Sequence, residues 1–338
     1  NSTPDMRKLI NQFLNYPDDS AGSIMTIEYV DIKKEWTVKQ ALDHIKKTGI
    51  DKATIETCYV LDSKRKLDGI VPLRTLILSD EDTIIEDIMY SKIISVNTHS
   101  DQEYVANLFK KYDFIAMPVV DNENRLVGII TIDDIVDIID MENTEDLQKM
   151  AAMQPSEKPY LKTNIFELSK HRILWLLVLM LTATITGGII KRYDNTFQLV
   201  VILAAFIPML MGTAGNAGTQ LSTLVIRGLA LNEIRLKDIL KVIWKELRVS
   251  LVVGFLLAFV NFLRILLIES TTLKVNLTVS ITLYITVILA KVVGGALPII
   301  AKKLKVDPAI MAGPLITTIV DTMALLIYFT IASWLLNI

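Results

Sequence analysis

The pattern of hydrophobic residues changes near residue 171. Before that point short apolar runs alternate with polar turns, as in a folded α/β protein. After it come five long apolar stretches, near 173–190, 197–226, 249–268, 277–300 and 309–336. About 20 apolar residues in a helix suffice to cross a membrane. The pattern therefore predicts a multi-domain membrane protein, in which an α/β module precedes an all-α membrane module of five helices.

The charge of the chain changes at the same point. Residues 1–170 contain 30 acidic and 20 basic side chains, whereas residues 171–338 contain 7 and 15. The second and fourth loops of the membrane module hold nine basic residues and the other two loops hold four. Basic loops stay in the cytoplasm. We therefore expect a multi-pass protein of the plasma membrane with a cytoplasmic N-terminus and an extracytoplasmic C-terminus.

The N-terminal module contains an internal repeat with an offset of 59 residues. CYVLDSKRKLDGIVPLRTLI (58–77) aligns with MPVVDNENRLVGIITIDDIV (117–136), which matches Gly69 with Gly128. Upstream, SIMT in the first copy recurs as DIMY in the second. Each copy is predicted to contain a helix, a strand, a polar turn, a second strand and a short helix.

This βαββα order resembles a tandem pair of CBS domains, at 18–80 and 81–140, after a remnant of a helical domain or linker at 1–17. CBS pairs commonly bind adenine nucleotides through a hydroxyl and a carboxylate. The second copy has both groups, whereas the first copy has Pro72 and Thr75 in their places. The resemblance implies at most one ATP per chain, with a CBS cleft that holds no nucleotide as the alternative. Its candidate ligands are Thr131, Asp134 and Pro118.

An acidic run follows the repeat. Between residues 133 and 149 it contains seven carboxylates and one lysine, Lys149. Several of the carboxylates lie three or four residues apart, so that like charges repel on one helical face. Such a run is usually only a solvated surface. Oxygen-rich clusters also suit hard divalent cations, and a bound Mg²⁺ would remove the repulsion.

Polar residues interrupt two of the predicted spans. The second span contains Asn216 and Gln220 beside three glycines, a spacing that ordinarily marks close helix packing. The fifth span begins at Asp307 and contains Asp321 about 21 Å further along the helix. An ionisable residue at membrane depth is a candidate functional residue by default. A carboxylate in a small wet cavity would attract a hydrated cation.

Lys291 lies in the fourth span at a depth similar to that of Asp321. A lysine in a cation path would repel the ion. We therefore expect Lys291 to lie off the path or to be paired, and a buried ion pair with Asp321 is the competing hypothesis for that aspartate.

The motifs PxLxGxxGNAGxQ (208–220) and DPA with GPLxTTxxD (307–321), together with the CBS pair and the acidic run, resemble the MgtE family of magnesium channels. The resemblance implies a homodimer with a pore on its twofold axis, lined by the second and fifth spans. It also implies an acidic connecting helix and linker at 141–171, a membrane domain at 172–338, and closure of the pore by cytosolic Mg²⁺.

The resemblance also implies two sets of metal-binding residues. The pore set is Asp321, Asn216, Gly215 and Gly313. The set at the cytosolic mouth, which would sense Mg²⁺, is Asp307, Glu142, Glu145, Asp146, Asp134 and Asp137.

The sequence gives less support to other functions. It contains no phosphate-binding loop, no HExxH motif and no nucleophilic triad, and its three histidines have no metal-ligand spacing, which argues against an enzyme. The expected partners are a second copy, divalent cations and membrane lipid, but no nucleic acid. The alternative functions are an ion-coupled exporter or antiporter of divalent metals and a CBS-bearing receptor without transport.

Overall fold

The computed structural model describes residues 16–156, 158–192, 201–269 and 271–337. The chain forms two compact units, with the division after Asn143. Most of the predicted remnant at the N-terminus, and the first four residues of the predicted second span, lie outside the described residues.

The N-terminal unit contains two three-stranded sheets with strand orders β1-β2-β3 and β4-β5-β6. In each sheet the first strand runs parallel to the middle strand, and the last strand runs antiparallel to it. The helices and strands, in chain order, are α1 (Ala21–Ile24), β1 (Val30–Ile32), α2 (Val38–Thr48), β2 (Thr57–Leu61), β3 (Leu67–Pro72), α3 (Leu73–Leu78), α4 (Ile85–Ile88), β4 (Val96–Asn97), α5 (Gln102–Tyr112), β5 (Ala116–Val120), β6 (Leu126–Thr131) and α6 (Ile132–Met150).

The predicted repeat is confirmed by the strands. β2 and β5 are offset by 59 residues, and so are β3 and β6. The long helices α2 and α5 are instead offset by 64 residues, because a 3-10 turn at Gly49–Asp51 lengthens the connection in the first copy. The two copies therefore share strand registers but differ in the loop that leads into them.

Each sheet is extended by a residue from the other copy. Thr26 of the first copy pairs with Ile129 in β6, and Tyr90 of the second copy pairs with Ile70 in β3. Backbone hydrogen bonds join both pairs in both directions. The recurring segments SIMT and DIMY thus hold the two copies together.

The matched glycines of the repeat make these exchanges possible. A Cβ added to Gly128 would lie 2.9 Å from the sulfur of Met25, and one added to Gly69 would lie 2.8 Å from the sulfur of Met89. Both distances are too short for a side chain. Each glycine therefore admits a methionine from the opposite copy.

The acidic run forms helix α6, which begins at Ile132 directly after β6, nine residues before the start of the predicted connecting helix. Its first turns bury Ile135 and Ile138 in the core of the second copy. The same helix therefore serves as the final element of the CBS fold and as the start of the connection.

The membrane unit contains all five predicted helices. Each is long and apolar enough to cross a membrane. They are α7 (Ile165–Arg192), α8 (Ile202–Ala230), α9 (Ile239–Ile268), α10 (Leu273–Lys303) and α11 (Gly313–Leu336). Helices α8, α10 and α11 share one apolar core, and the buried hydroxyl of Tyr328 on α11 donates a hydrogen bond to the carbonyl of Leu203 on α8.

Glycine allows close contact in the centre of this core. A Cβ on Gly294 of α10 would lie 2.3 Å from the carbonyl oxygen of Gly218 on α8. Gly215 on α8 likewise faces α11, whereas the Cβ position of Gly212 has no atom within 4 Å. The expected packing role is confirmed for Gly215 and Gly218 but not for Gly212.

Lys291 is paired, as expected, but its partner is Glu246 on α9 and not Asp321. The ammonium lies 3.5 Å from the Glu246 carboxylate, and the two side chains are 10% and 15% exposed. Helices α9 and α10 run side by side here, which brings the two residues to the same level. The hypothesis of an Asp321–Lys291 ion pair is therefore wrong.

We expect Lys291→Met and Glu246→Met each to lower the stability of the membrane unit. Each change leaves one buried charge without its partner, which costs about 3 to 5 kcal/mol. The double variant should recover most of the loss because no buried charge remains. Thermal unfolding in detergent measures this, with Lys241→Met as the control because Lys241 is exposed. Additive losses in the double variant would contradict the pairing.

Candidate cation site

Asp321 lies where α11 packs against α8. The Cβ position of Gly215 is 3.0 Å from a methyl carbon of Thr317 and 3.7 Å from Oδ1 of Asp321. This oxygen is buried and has no hydrogen-bond partner among the described residues. A buried acceptor without a partner is costly and needs an explanation. A hydrated cation beside it would supply the missing donors.

A polar stripe marks the adjacent surface of α8. Its members recur at intervals of three or four residues and are all exposed in the single chain. They are Gly212, Asn216, Gln220, Thr223 and Arg227. Lipid tails cannot form hydrogen bonds with amides. The stripe therefore needs water or another protein surface, and Asn216 of the predicted pore set belongs to it.

The segment that leads into α11 is shaped by Asp307 and Gly313. Asp307 caps a 3-10 turn at Pro308–Met311 by accepting a hydrogen bond of 2.8 Å from the backbone NH of Ala309. Gly313 has φ +36°, and a Cβ there would lie 2.7 Å from the carbonyl oxygen of Met150. Only glycine suits this backbone conformation and this close contact.

The end of the acidic helix lies against this segment. The ammonium of Lys149 is 2.5 Å from the Glu145 carboxylate and 2.6 Å from that of Asp307. Burial raises the pKa of the neighbouring Asp146, and the negative charge of Asp307 raises it further. Two carboxylates of the predicted sensor set thus contact one lysine, and a third, Asp146, lies close enough to feel their charges.

The other sensor residues lie in the N-terminal unit. Glu142 accepts a hydrogen bond of 2.7 Å from the amide of the buried Gln102, and Asp134 accepts one of 2.6 Å from the Thr131 hydroxyl. Asp137 is exposed. Within the described parts of the chain, no three His, Cys, Asp or Glu side chains form a group that could hold a metal ion. Binding of Mg²⁺ by these residues stays a prediction.

The candidate nucleotide ligands lie at the edge of the second sheet. Thr131 ends β6, and its hydroxyl and Asp134 face each other at the start of α6. Pro118 lies in the middle of the adjacent strand β5. In the first copy Pro72 ends the corresponding strand, so the hydroxyl and the carboxylate have no counterpart there.

The sequence predicts one contact of Lys149 but neither its second contact nor the role of Glu246. The spacing of Glu145 and Lys149, four residues apart on a helix, predicts their ion pair. The contact between Lys149 and Asp307 joins residues 158 positions apart and leaves no local pattern. The same holds for Glu246, which looks like one more charge at the start of a helix.

Comparison with known families gives matches in both units. The MgtE family model, described as a divalent cation transporter, matches residues 207–331. The CBS domain model matches residues 85–140. The two membrane motifs, at 208–220 and 307–321, and most of the second copy of the repeat thus fall within the matched regions.

Curated relatives match almost the whole chain. Magnesium transporter MgtE of Thermus thermophilus is 38% identical over 99% of this chain and 74% of its own length. The MgtE of Bacillus subtilis is 39% identical over 96% of this chain and 72% of its own length. That of Enterococcus faecalis is 36% identical over 96% and 71%.

Solved structures match the N-terminal part. One is the cytosolic domain of the Mg²⁺ channel MgtE in complex with ATP, at 42% identity, with a TM-score of 0.40, 40% coverage of this chain and 55% of that chain. Another is the soluble part of a magnesium transporter, at 42% identity and a TM-score of 0.41, with coverages of 42% and 55%. This chain thus spans about half the length of those two.

The membrane motifs, the five helices and the near full-length similarity to three magnesium transporters agree with one another. The chain belongs to the MgtE family, whose members are magnesium transporters and not enzymes.

Proposed function

We propose that this chain forms a passive, Mg²⁺-selective channel in which Asp321 holds the permeating ion. The observation that carries the proposal is the buried Oδ1 of Asp321, which has no partner among the described residues. Two other charged side chains within the helices of the membrane unit, Lys291 and Arg264, each have a carboxylate within 4 Å. Asp321 thus differs from them in lacking a counter-charge.

The surroundings of Asp321 suit a hydrated Mg²⁺. This ion loses its waters reluctantly and is usually bound through one or two carboxylates. Gly215 lets α11 approach closely enough to bring the carboxylate against α8, and the exposed amide of Asn216 on α8 provides a polar group nearby. Gly313, the fourth residue of the predicted pore set, begins α11. In this proposal backbone oxygens and the waters carried by the ion provide its remaining contacts along the pore.

We propose that the polar stripe of α8 faces a second copy of the chain, with water between them. In a single chain this stripe would lie against lipid, where its amides would be unsatisfied. A twofold axis beside α8 would place two stripes, and two Asp321 residues, around one path. We propose that the N-terminal unit and Asp307 lie on the cytoplasmic side, because the second and fourth loops of the membrane module are the more basic ones.

Asp321→Asn should reduce Mg²⁺ uptake into proteoliposomes while the protein still folds. Hydrogen bonds to a charged group contribute about 1.5 to 3 kcal/mol, and loss of that amount lowers ion occupancy about tenfold or more. Glu269→Gln is the matched control, because it removes a carboxylate at the end of a span that is paired with Arg264. Normal uptake in Asp321→Asn would remove this residue from the path.

The same proteoliposomes test the passive mechanism. Uptake by the parent protein should follow the Mg²⁺ gradient alone and should not change when a proton or Na⁺ gradient is imposed. Dependence on either gradient would favour the ion-coupled exporter instead, and the absence of any flux would favour a receptor without transport.

We propose that cytosolic Mg²⁺ closes the channel by binding Glu145, Asp146 and Asp307. Among the described residues the ammonium of Lys149 contacts Glu145 and Asp307, and Asp146, whose pKa is raised by burial and further by the charge of Asp307, lies near them. A divalent cation would neutralise their negative charge. Additional ligation by Asp134, Asp137 or Glu142 stays part of the proposal.

The double variant Glu145→Gln with Asp146→Asn should weaken closure by Mg²⁺. With two negative charges removed, Mg²⁺ binds the closed state less strongly, so a given Mg²⁺ concentration shifts the equilibrium between open and closed channel less. Single-channel recording at increasing cytosolic Mg²⁺ measures this. The matched control is Glu86→Gln with Asp87→Asn, an exposed Glu-Asp pair at the start of α4. An unchanged Mg²⁺ response in the first double variant would refute the assignment.

We propose that one ATP binds per chain, beside Thr131, Asp134 and Pro118. Asp134 is exposed and its carboxylate is already oriented by the Thr131 hydroxyl, as a ribose ligand requires. Bound ATP would change the Mg²⁺ dependence of closure through linkage.

Calorimetry on the full chain should give one ATP per chain, and Asp134→Asn should abolish or strongly weaken binding because the carboxylate is lost. Thr75→Ala, at the corresponding position of the first copy, is the control and should bind as the parent does. A stoichiometry of two would show that the first copy also binds, and no binding would favour a CBS cleft without nucleotide.

A further inference from the structure

The last turn of the acidic helix is fixed to the start of α11 by contacts that involve no metal. Lys149 donates a hydrogen bond to Asp307, and its ammonium also contacts Glu145. All three side chains are partly buried. Lys149 is the one basic residue between Arg125 and Lys158, so no neighbouring lysine or arginine on the helix can take its place.

Apolar contacts add to the ion pairs. The side chain of Met150 packs against a small cluster that belongs to the end of α8 and to the segment before α11. The members of the cluster are Ile226, Ala309 and Ala312. The carbonyl oxygen of Met150 also lies close to Gly313, where no side chain would fit. The contact is therefore a packed interface and not only a meeting of charges.

The charges at this interface would be unfavourable without Lys149. Glu145, Asp146 and Asp307 carry three negative charges in a partly buried space, and like charges there repel more strongly than in water. Burial alone would lower the pKa of Lys149, but its hydrogen bonds to Asp307 and Glu145 raise that pKa above its usual value.

We propose that Lys149 is a built-in counter-ion that holds the end of the acidic helix on the segment Asp307–Gly313 when no divalent cation is bound. The inference rests on the proposed function, in which the same carboxylates bind regulatory Mg²⁺. Lys149 is then a positioning residue. It neutralises part of the charge that Mg²⁺ would otherwise have to neutralise, so the contact does not depend wholly on metal.

In the parent protein, the contact between the end of the acidic helix and the segment Asp307–Gly313 is partly independent of metal. When the ammonium of Lys149 is removed, this contact should require Mg²⁺. In Lys149→Met three carboxylates face one another with no counter-ion, so the helix end should separate from Asp307 in the absence of Mg²⁺. Addition of Mg²⁺ should restore the contact. Lys149→Arg keeps the positive charge and should behave as the parent does.

Distances between two spin labels in the full chain test this. Labels at Leu147→Cys and Leu304→Cys use exposed positions on the acidic helix and just before Asp307. The native Cys58 is buried, and burial raises the pKa of its thiol to about 12, so it should not be labelled at neutral pH. The measurement is made with a chelator and again with Mg²⁺.

The parent and Lys149→Arg should keep a narrow distance distribution in the chelator, whereas Lys149→Met should lose it and regain it with Mg²⁺. Lys303→Met, an exposed lysine of the same region, is the control for loss of charge and should retain the parent distribution. An unchanged melting temperature shows that each variant is folded.

A narrow distribution for Lys149→Met in the chelator would overturn the inference and leave the Mg²⁺ site untouched. Loss of the distribution without recovery in Mg²⁺ would support the role of Lys149 but contradict Mg²⁺ binding by the three carboxylates. The two proposals can therefore fail separately.

Discussion

The membrane unit is organised by the requirement that every charge within a low-dielectric layer be compensated. Lys291 meets this requirement through Glu246, and Arg264 lies beside Glu269 and Asn261. Asp321 has no such partner among the described residues. An uncompensated carboxylate is costly, and in the function we propose a transported cation supplies the compensating charge.

Close helix packing makes this arrangement possible. The carbonyl of Gly218 lies against Gly294, which brings α8 and α10 together, and Gly215 allows α11 to place Asp321 against α8. Dispersion contacts drive helix association in membranes, where the hydrophobic effect between helices is absent. The adjacent surface of α8, which includes Asn216 and Gln220, is polar and exposed in the single chain, and it is the surface that we propose a second copy covers.

In the N-terminal unit the two copies of the repeat share structural elements. Met25 and Met89 each pack on a glycine of the other copy, so neither half of the repeat has a complete sheet by itself. Helix α6 is likewise used twice, because its first turns fill the core of the second copy and its last turn contacts Asp307 through Lys149. A bound nucleotide at Thr131 and Asp134 would lie at the start of that helix.

The sequence by itself determined the two-module architecture, the repeat and the five spans, and it singled out Asp321 as a candidate functional residue, because apolar length, periodicity and a charge among apolar residues are local properties of the chain. The family motifs also indicated Asp307 and the acidic run. Only the tertiary structure decided the exchange between the CBS copies, the pairing of Lys291 with Glu246 in place of Asp321, and the contact of Lys149 with Asp307. These contacts join residues distant in sequence, and which charges meet depends on how helices pack, a property that no local pattern encodes.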